Sequence, residues 1–125
     1  MAIKHAVSGE LLKVLPEDES LSAMFSTAIV KGEQLELIRI VLPAGKSMPE
    51  HRVPGEITVQ CVKGQLEFSA QGESQIMSAG DMLYLEGDVP HALLALEDST
   101  ALLTISLQAA APAQTPGAAA QAEEV

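Results

Sequence analysis

Gly45-Lys46-Ser47-Met48-Pro49-Glu50-His51 and Gly80-Asp81-Met82-Leu83-Tyr84-Leu85-Glu86-Gly87-Asp88-Val89-Pro90-His91 are the stretches that decide how this chain folds. Each opens on a glycine and closes on a histidine. The first continues through Arg52-Val53-Pro54-Gly55-Glu56-Ile57 to Gly64. Around them, short apolar runs cover residues 35–42, 57–62, 82–85, 92–96 and 101–107. Turn residues separate the runs: Lys31-Gly32, Pro43-Ala44-Gly45, Pro54-Gly55, Lys63-Gly64, Gln71-Gly72, Ala79-Gly80 and Glu86-Gly87-Asp88. Short strands at regular spacing with glycine turns predict an all-β sandwich or barrel.

The run after Pro54-Gly55 is the most legible. Strand side chains point to opposite faces in turn. Ile57, Val59 and Cys61 are therefore expected inside, with Thr58 and Gln60 outside. Residues 65–70 repeat the alternation, with Leu66, Phe68 and Ala70 on the inner face. Lys63-Gly64 reads as the hairpin turn between these two strands. In residues 35–42, Glu36 and Arg39 fall out of phase, and a bulge there would reconcile them. A short helix is expected over residues 20–24.

A chain of 125 residues fits one domain. Residues 1–107 are expected to form it, with 1–34 supplying extra edge strands and a loop. Residues 108–125 hold eight alanines, interrupted by Pro112, Pro116 and Gly117, and read as a disordered tail. The formal net charge is −10 and there is no run of lysine or arginine. Phosphate backbones and anionic membrane surfaces are repelled, so neither nucleic acid nor membrane is an expected partner. The aromatic residues are Phe25, Phe68 and Tyr84, so any ligand pocket is walled mainly by aliphatic side chains. A single cysteine, Cys61, allows no intramolecular disulfide and suits a reducing compartment. No basic-then-apolar leader and no apolar run of membrane-spanning length is visible. The expected location is cytoplasmic.

Taken together, these residues resemble the small single-domain cupins, the RmlC-like jelly-roll family, over residues 35–107. The family's first motif reads G-x5-H-x-H-x3–4-E-x6-G, and Gly45, His51 and Gly64 fit it. The second reads G-x5-P-x-G-x2-H-x3-N, and Gly80 and His91 fit it. Glu86 stands at the usual proline, Asp88 at the turn glycine and Ala95 at the final asparagine. Asp88 is a residue that tolerates the left-handed conformation. The resemblance implies a double-stranded β-helix barrel and a homodimer. Residues 3–15 are the candidate for strand pairing between subunits.

The resemblance also implies a metal site of four converging side chains. Carried over, the ligand positions are His51, Val53, Ile57 and His91. Valine and isoleucine bind no cation, so half the set is missing. A weakly bound divalent transition metal on His51 and His91 is what such a site could still hold. Glu50 and Glu56 neighbour ligand positions, but alternation points them to the other face unless a bulge turns them in. Cys61 is an inward candidate, and its plainer role is a small buried apolar side chain.

Three functions follow as expectations. The first is a non-enzymatic or sensory barrel that binds a small, apolar or weakly polar molecule or serves simply as a dimerisation scaffold. The second is a metal-dependent enzyme of dioxygenase or isomerase type, with Glu50, Glu56, Cys61 or waters joining His51 and His91. The third is a metal-free epimerase with histidine as base, for which Arg39, Arg52 and a few lysines make a poor phosphate pocket. No catalytic residue is assigned. Glu86 and Asp88 read as a solvated turn, Glu17-Asp18-Glu19 as a solvated loop, and His5 as surface. Met48, Met77 and Met82 read as core filler.

Overall fold

The computed structural model describes residues 5–15 and 25–107. The expected helix over residues 20–24 and the expected tail lie outside these. Among the described residues there are nine strands and no helix. They are β1 (Phe25–Lys31), β2 (Leu35–Leu42), β3 (Ser47–His51), β4 (Ile57–Lys63), β5 (Gln65–Ala70), β6 (Glu73–Ser78), β7 (Met82–Leu85), β8 (His91–Ala95) and β9 (Ser99–Ser106).

The strands form two antiparallel sheets, ordered β1-β2-β9-β4-β7 and β3-β8-β5-β6. From β2 onward the chain changes sheet at almost every connection, the exception being the β5–β6 hairpin. That is the double-stranded β-helix, or jelly roll. Closing the two sheets on one another buries one face of each. Ile40, Leu42, Ile57, Val59, Cys61, Ala101, Leu103 and Ile105 come from one sheet. Leu66, Phe68, Met77, Leu93 and Ala95 meet them from the other. The alternation of β4 and β5 holds at their cores: Ile57, Val59, Cys61, Leu66 and Phe68 are each 0–2% exposed.

Two expectations are corrected. Lys63-Gly64 is not a hairpin turn, because β4 pairs with β7 and β9 whereas β5 pairs with β6 and β8. It is the corner at which the chain leaves one sheet for the other. Gly64 makes the corner at φ +84°, and a Cβ there would collide with Asp98 O and Ser99 Oγ. Alternation within a strand does not say which strand is its neighbour, and the two arrangements read alike in sequence. The bulge is not in β2 either. The β2–β9 ladder runs unbroken from Leu35 to Leu42. Ile38, Ile40 and Leu42 take the inner face, which leaves Arg39 on the outer one. The irregularity lies on β1, between Ala28 and Val30.

Candidate functional site

His51 and His91 are built onto neighbouring strands. The β3–β8 ladder pairs Ser47 with Leu94 and Met48 with Leu93, then breaks and resumes at His51 opposite His91. Two residues of β3, Pro49 and Glu50, thus face one of β8. Continued without the break, the register would set Glu50 against His91 and turn His51 to the other face. Proline has no N–H to give a ladder and is tolerated at such bulges. Pro49 therefore lies where the swap of Glu50 for His51 takes place. Glu50 points away, into an outer cavity of about 220 Å³ that Glu73, Ser69 and Ser74 also line.

The two imidazoles lie with ring centroids 4.5 Å apart, tilted by 58°. His91 is 3% exposed, while His51 is half-buried. On its far side His91 stacks on Phe68, at 5.8 Å and 6°. Each histidine bonds through Nδ1 to the backbone carbonyl two residues upstream: His51 to Pro49 at 3.2 Å, His91 to Val89 at 2.9 Å. A carbonyl only accepts, so both Nδ1 atoms carry the proton. In the neutral rings each Nε2 is then a bare lone pair. Burial holds the His91 pKa below the usual histidine value. The Val89 carbonyl works against that shift, and the charge of His51 adds to it.

Val53 and Ile57, at the other two ligand positions, are apolar wall. Ile57 is 2% exposed and Val53 packs against the same core. The loops carrying both motifs are locked together. Asp88 N donates to Val53 O at 2.7 Å, and a Cβ on Gly87 would collide with Pro54 O. Asp88 takes the turn position at φ +64°, as its alignment with the family glycine implied.

The remaining candidates lie elsewhere. Glu56 is exposed and accepts a hydrogen bond from the Tyr84 hydroxyl on the outer face of the five-stranded sheet. No bulge turns it inward. Cys61 lies four residues beyond Ile57 on β4, about 13 Å along a strand. Its thiol points at Lys63 O and Gly64 O, at 3.6 and 3.5 Å. Burial, first of all, raises its pKa. Among the described residues no group of three or more His, Cys, Asp or Glu side chains is placed to hold a metal ion. Met77 is core filler at 3% exposure, but Met82 is 60% exposed. His5 is exposed. The Tyr84–Glu56 pair had no signal in the sequence, because it depends on which strand lies beside β4.

The family model for the cupin domain matches residues 38–107, more than half of the chain. The chain is a cupin. Solved structures of the same fold include a conserved protein of unknown function, SPY1581, from Streptococcus pyogenes. It is 23% identical with a TM-score of 0.68, over 85% of this chain and 94% of that one. An RmlC-like cupin from Desulfovibrio desulfuricans is 24% identical with a TM-score of 0.65, over 82% and 97%. The DMSP lyase DddQ from Ruegeria pomeroyi is 22% identical with a TM-score of 0.64, over 77% of this chain and 53% of its own. At such identities the likeness is one of fold. No curated protein matches the sequence.

The donor set does not fit the family's four-ligand metal centre. Two neutral imidazoles supply neither a carboxylate's charge nor the third and fourth bonds with which such a site competes against water.

Proposed function

We propose that this cupin binds a small organic molecule at the inner face of its barrel, with His51 and His91 as the polar end of an otherwise apolar site. The observation that carries this reading is the facing pair itself. Both Nδ1 atoms are tied to the backbone, so the neutral rings present two acceptors side by side. Phe68 stacks on His91, Phe68 and Ile57 belong to the apolar core, and Val53 packs against it. A matching ligand has an apolar body and one or two hydrogen-bond donors, such as hydroxyl or amide N–H groups. An isolated anion would find no donor on the neutral pair.

A second reading keeps the metal. The same two lone pairs are what a transition metal would take, with water or substrate supplying the other ligands. It is favoured by the Nδ1 bonds, since a carbonyl partner on the far nitrogen is how metal-bound histidines are held. On either reading the protein is a homodimer in solution, because the exposed edge strands of a small jelly roll invite pairing.

The test is elemental analysis of the full chain purified without chelator, beside mass spectrometry of small molecules released by denaturation. The expected result is an organic molecule that copurifies with the parent and not with His51→Ala or His91→Ala, with metal well below one ion per chain. About one metal per chain, lost in both variants, would put the metal-dependent enzyme first. Neither metal nor molecule, before or after incubation with each ion, would leave the barrel a scaffold.

A further inference from the structure

On the outer face of the five-stranded sheet, away from the histidines, lies a groove of about 250 Å³. Its walls come from three strands held in register. Tyr84 pairs with Thr58, and Thr58 pairs with Thr104, so their side chains form one row across β7, β4 and β9. Glu56, Gln34 and Leu35 also line it. The backbone beneath is fixed: Ser106 N donates to Glu56 O at 2.9 Å, and Leu107 N to Gln34 O at 3.0 Å. Tyr84 is 56% exposed, yet its hydroxyl is anchored on the Glu56 carboxylate. An exposed aromatic ring is thus held beside a carboxylate.

We propose that this groove is a binding site for a primary alkylammonium group. Among the described residues its one charged group is the Glu56 carboxylate, which only accepts, and the Thr58, Thr104 and Ser106 hydroxyls can accept as well. Among the described residues no lysine or arginine lines it. An ammonium brings three N–H donors and a charge that the carboxylate and the ring face both attract. Leu35, an exposed apolar side chain of the lining, suits the alkyl stem. Glu86 lies close enough for its charge to bear on Tyr84 and adds to the same sign. A neutral polyol could use the hydroxyls, but hydrogen bonds to a charged partner are about twice as strong. The chain's net charge of −10 steers only the cation.

The experiment titrates the full-length protein with n-butylammonium, 1-butanol and butyrate, following backbone amide resonances by two-dimensional NMR. Butylammonium is expected to shift Thr58, Tyr84 and Thr104 saturably, and the other two to leave them unmoved. Glu56→Gln should weaken binding about tenfold or more. Tyr84→Ala should weaken it about threefold, and Tyr84→Phe, which keeps the ring, less. Raising the salt should weaken binding to the parent protein as well, a readout that needs no variant. Butanol or a neutral hexose binding as tightly as the amine would overturn the proposal. So would an unchanged affinity in Glu56→Gln, or shifts centred on His51 and His91 instead. None of these outcomes overturns the histidine site, so the two proposals fail separately.

Discussion

Replacing Gly64 by alanine tests whether the corner between the sheets is as tight as it looks. Gly64 sits at φ +84°, where any side chain costs about 1–2 kcal/mol. The new Cβ would also meet Asp98 O and Ser99 Oγ, and stand 3.0 Å from Ser99 Cα. Asp98 O and Ser99 Cα are backbone atoms of the next crossing and cannot swing aside. The corner must open, and Ser99 Oγ anchors it. That hydroxyl accepts from Gln65 N at 3.1 Å and lies 2.9 Å from Gln65 O and 2.8 Å from Glu97 O. Losing two such bonds adds about 2 kcal/mol. The total, about 3–4 kcal/mol, is a large part of the roughly 5–15 kcal/mol that holds a domain folded. Gly72→Ala is the control. Gly72 has a similar φ of +79°, but nothing lies within 4 Å of its missing Cβ. It should lose only the backbone part, about 1–2 kcal/mol. Urea unfolding of both variants measures the difference. Equal losses would refute the close approach, and with it the placing of β4 and β5 in different sheets.

Three further outcomes follow from the same geometry. His91 has a folded pKa below its unfolded value near 6.5, so between the two values the unfolded chain binds more protons. The stability advantage of the parent over His91→Gln should therefore shrink as pH falls from about 7.5 to about 5; urea unfolding across that range showing it constant or growing would contradict the burial of the ring. Phe68→Ala removes a ring that is 1% exposed and should cost about 3–5 kcal/mol. It should also move the His91 pKa back up, read from its ring protons, since the stacked face of the imidazole becomes hydrated. The Cys61 thiol is fully buried with a raised pKa, so iodoacetamide should modify it only at the rate of unfolding. Rapid labelling of the native protein would show that the β4 end opens readily.

The fold was legible because glycine turns and strand alternation are local. The runs at residues 35–42 and 82–85 coincide with β2 and β7, and the inward row Ile57, Val59, Cys61 is the row the core uses. What was not legible is pairing. β3 and β6 have no clean apolar alternation, since β3 is Ser-Met-Pro-Glu-His and β6 is exposed over its first four residues. β1 was expected only as part of an extra edge region. The misplaced hairpin at Lys63-Gly64 has the same cause: nothing in a strand's own sequence names the strand beside it.

The site shows the same division. The resemblance to the cupin motifs implied His51 and His91 as site residues, and the structure brings the rings to 4.5 Å. Which of Glu50 and His51 faces in could not follow from counting, because a bulge shifts the count by one. Pro49 is the physical trace of that bulge. It explains how the first histidine of the motif faces inward although the two ligand positions after it are apolar. The bulge and the locked loops at Val53, Asp88 and Gly87 are backbone features, and they aim the histidines whatever stands at Val53 and Ile57. With Val53 and Ile57 at those two positions, the site lacks the charge and coordination that the family motif implies. Two imidazoles beside an apolar core are the ground for proposing a ligand held by shape and two hydrogen bonds rather than a cation that needs three or four donors.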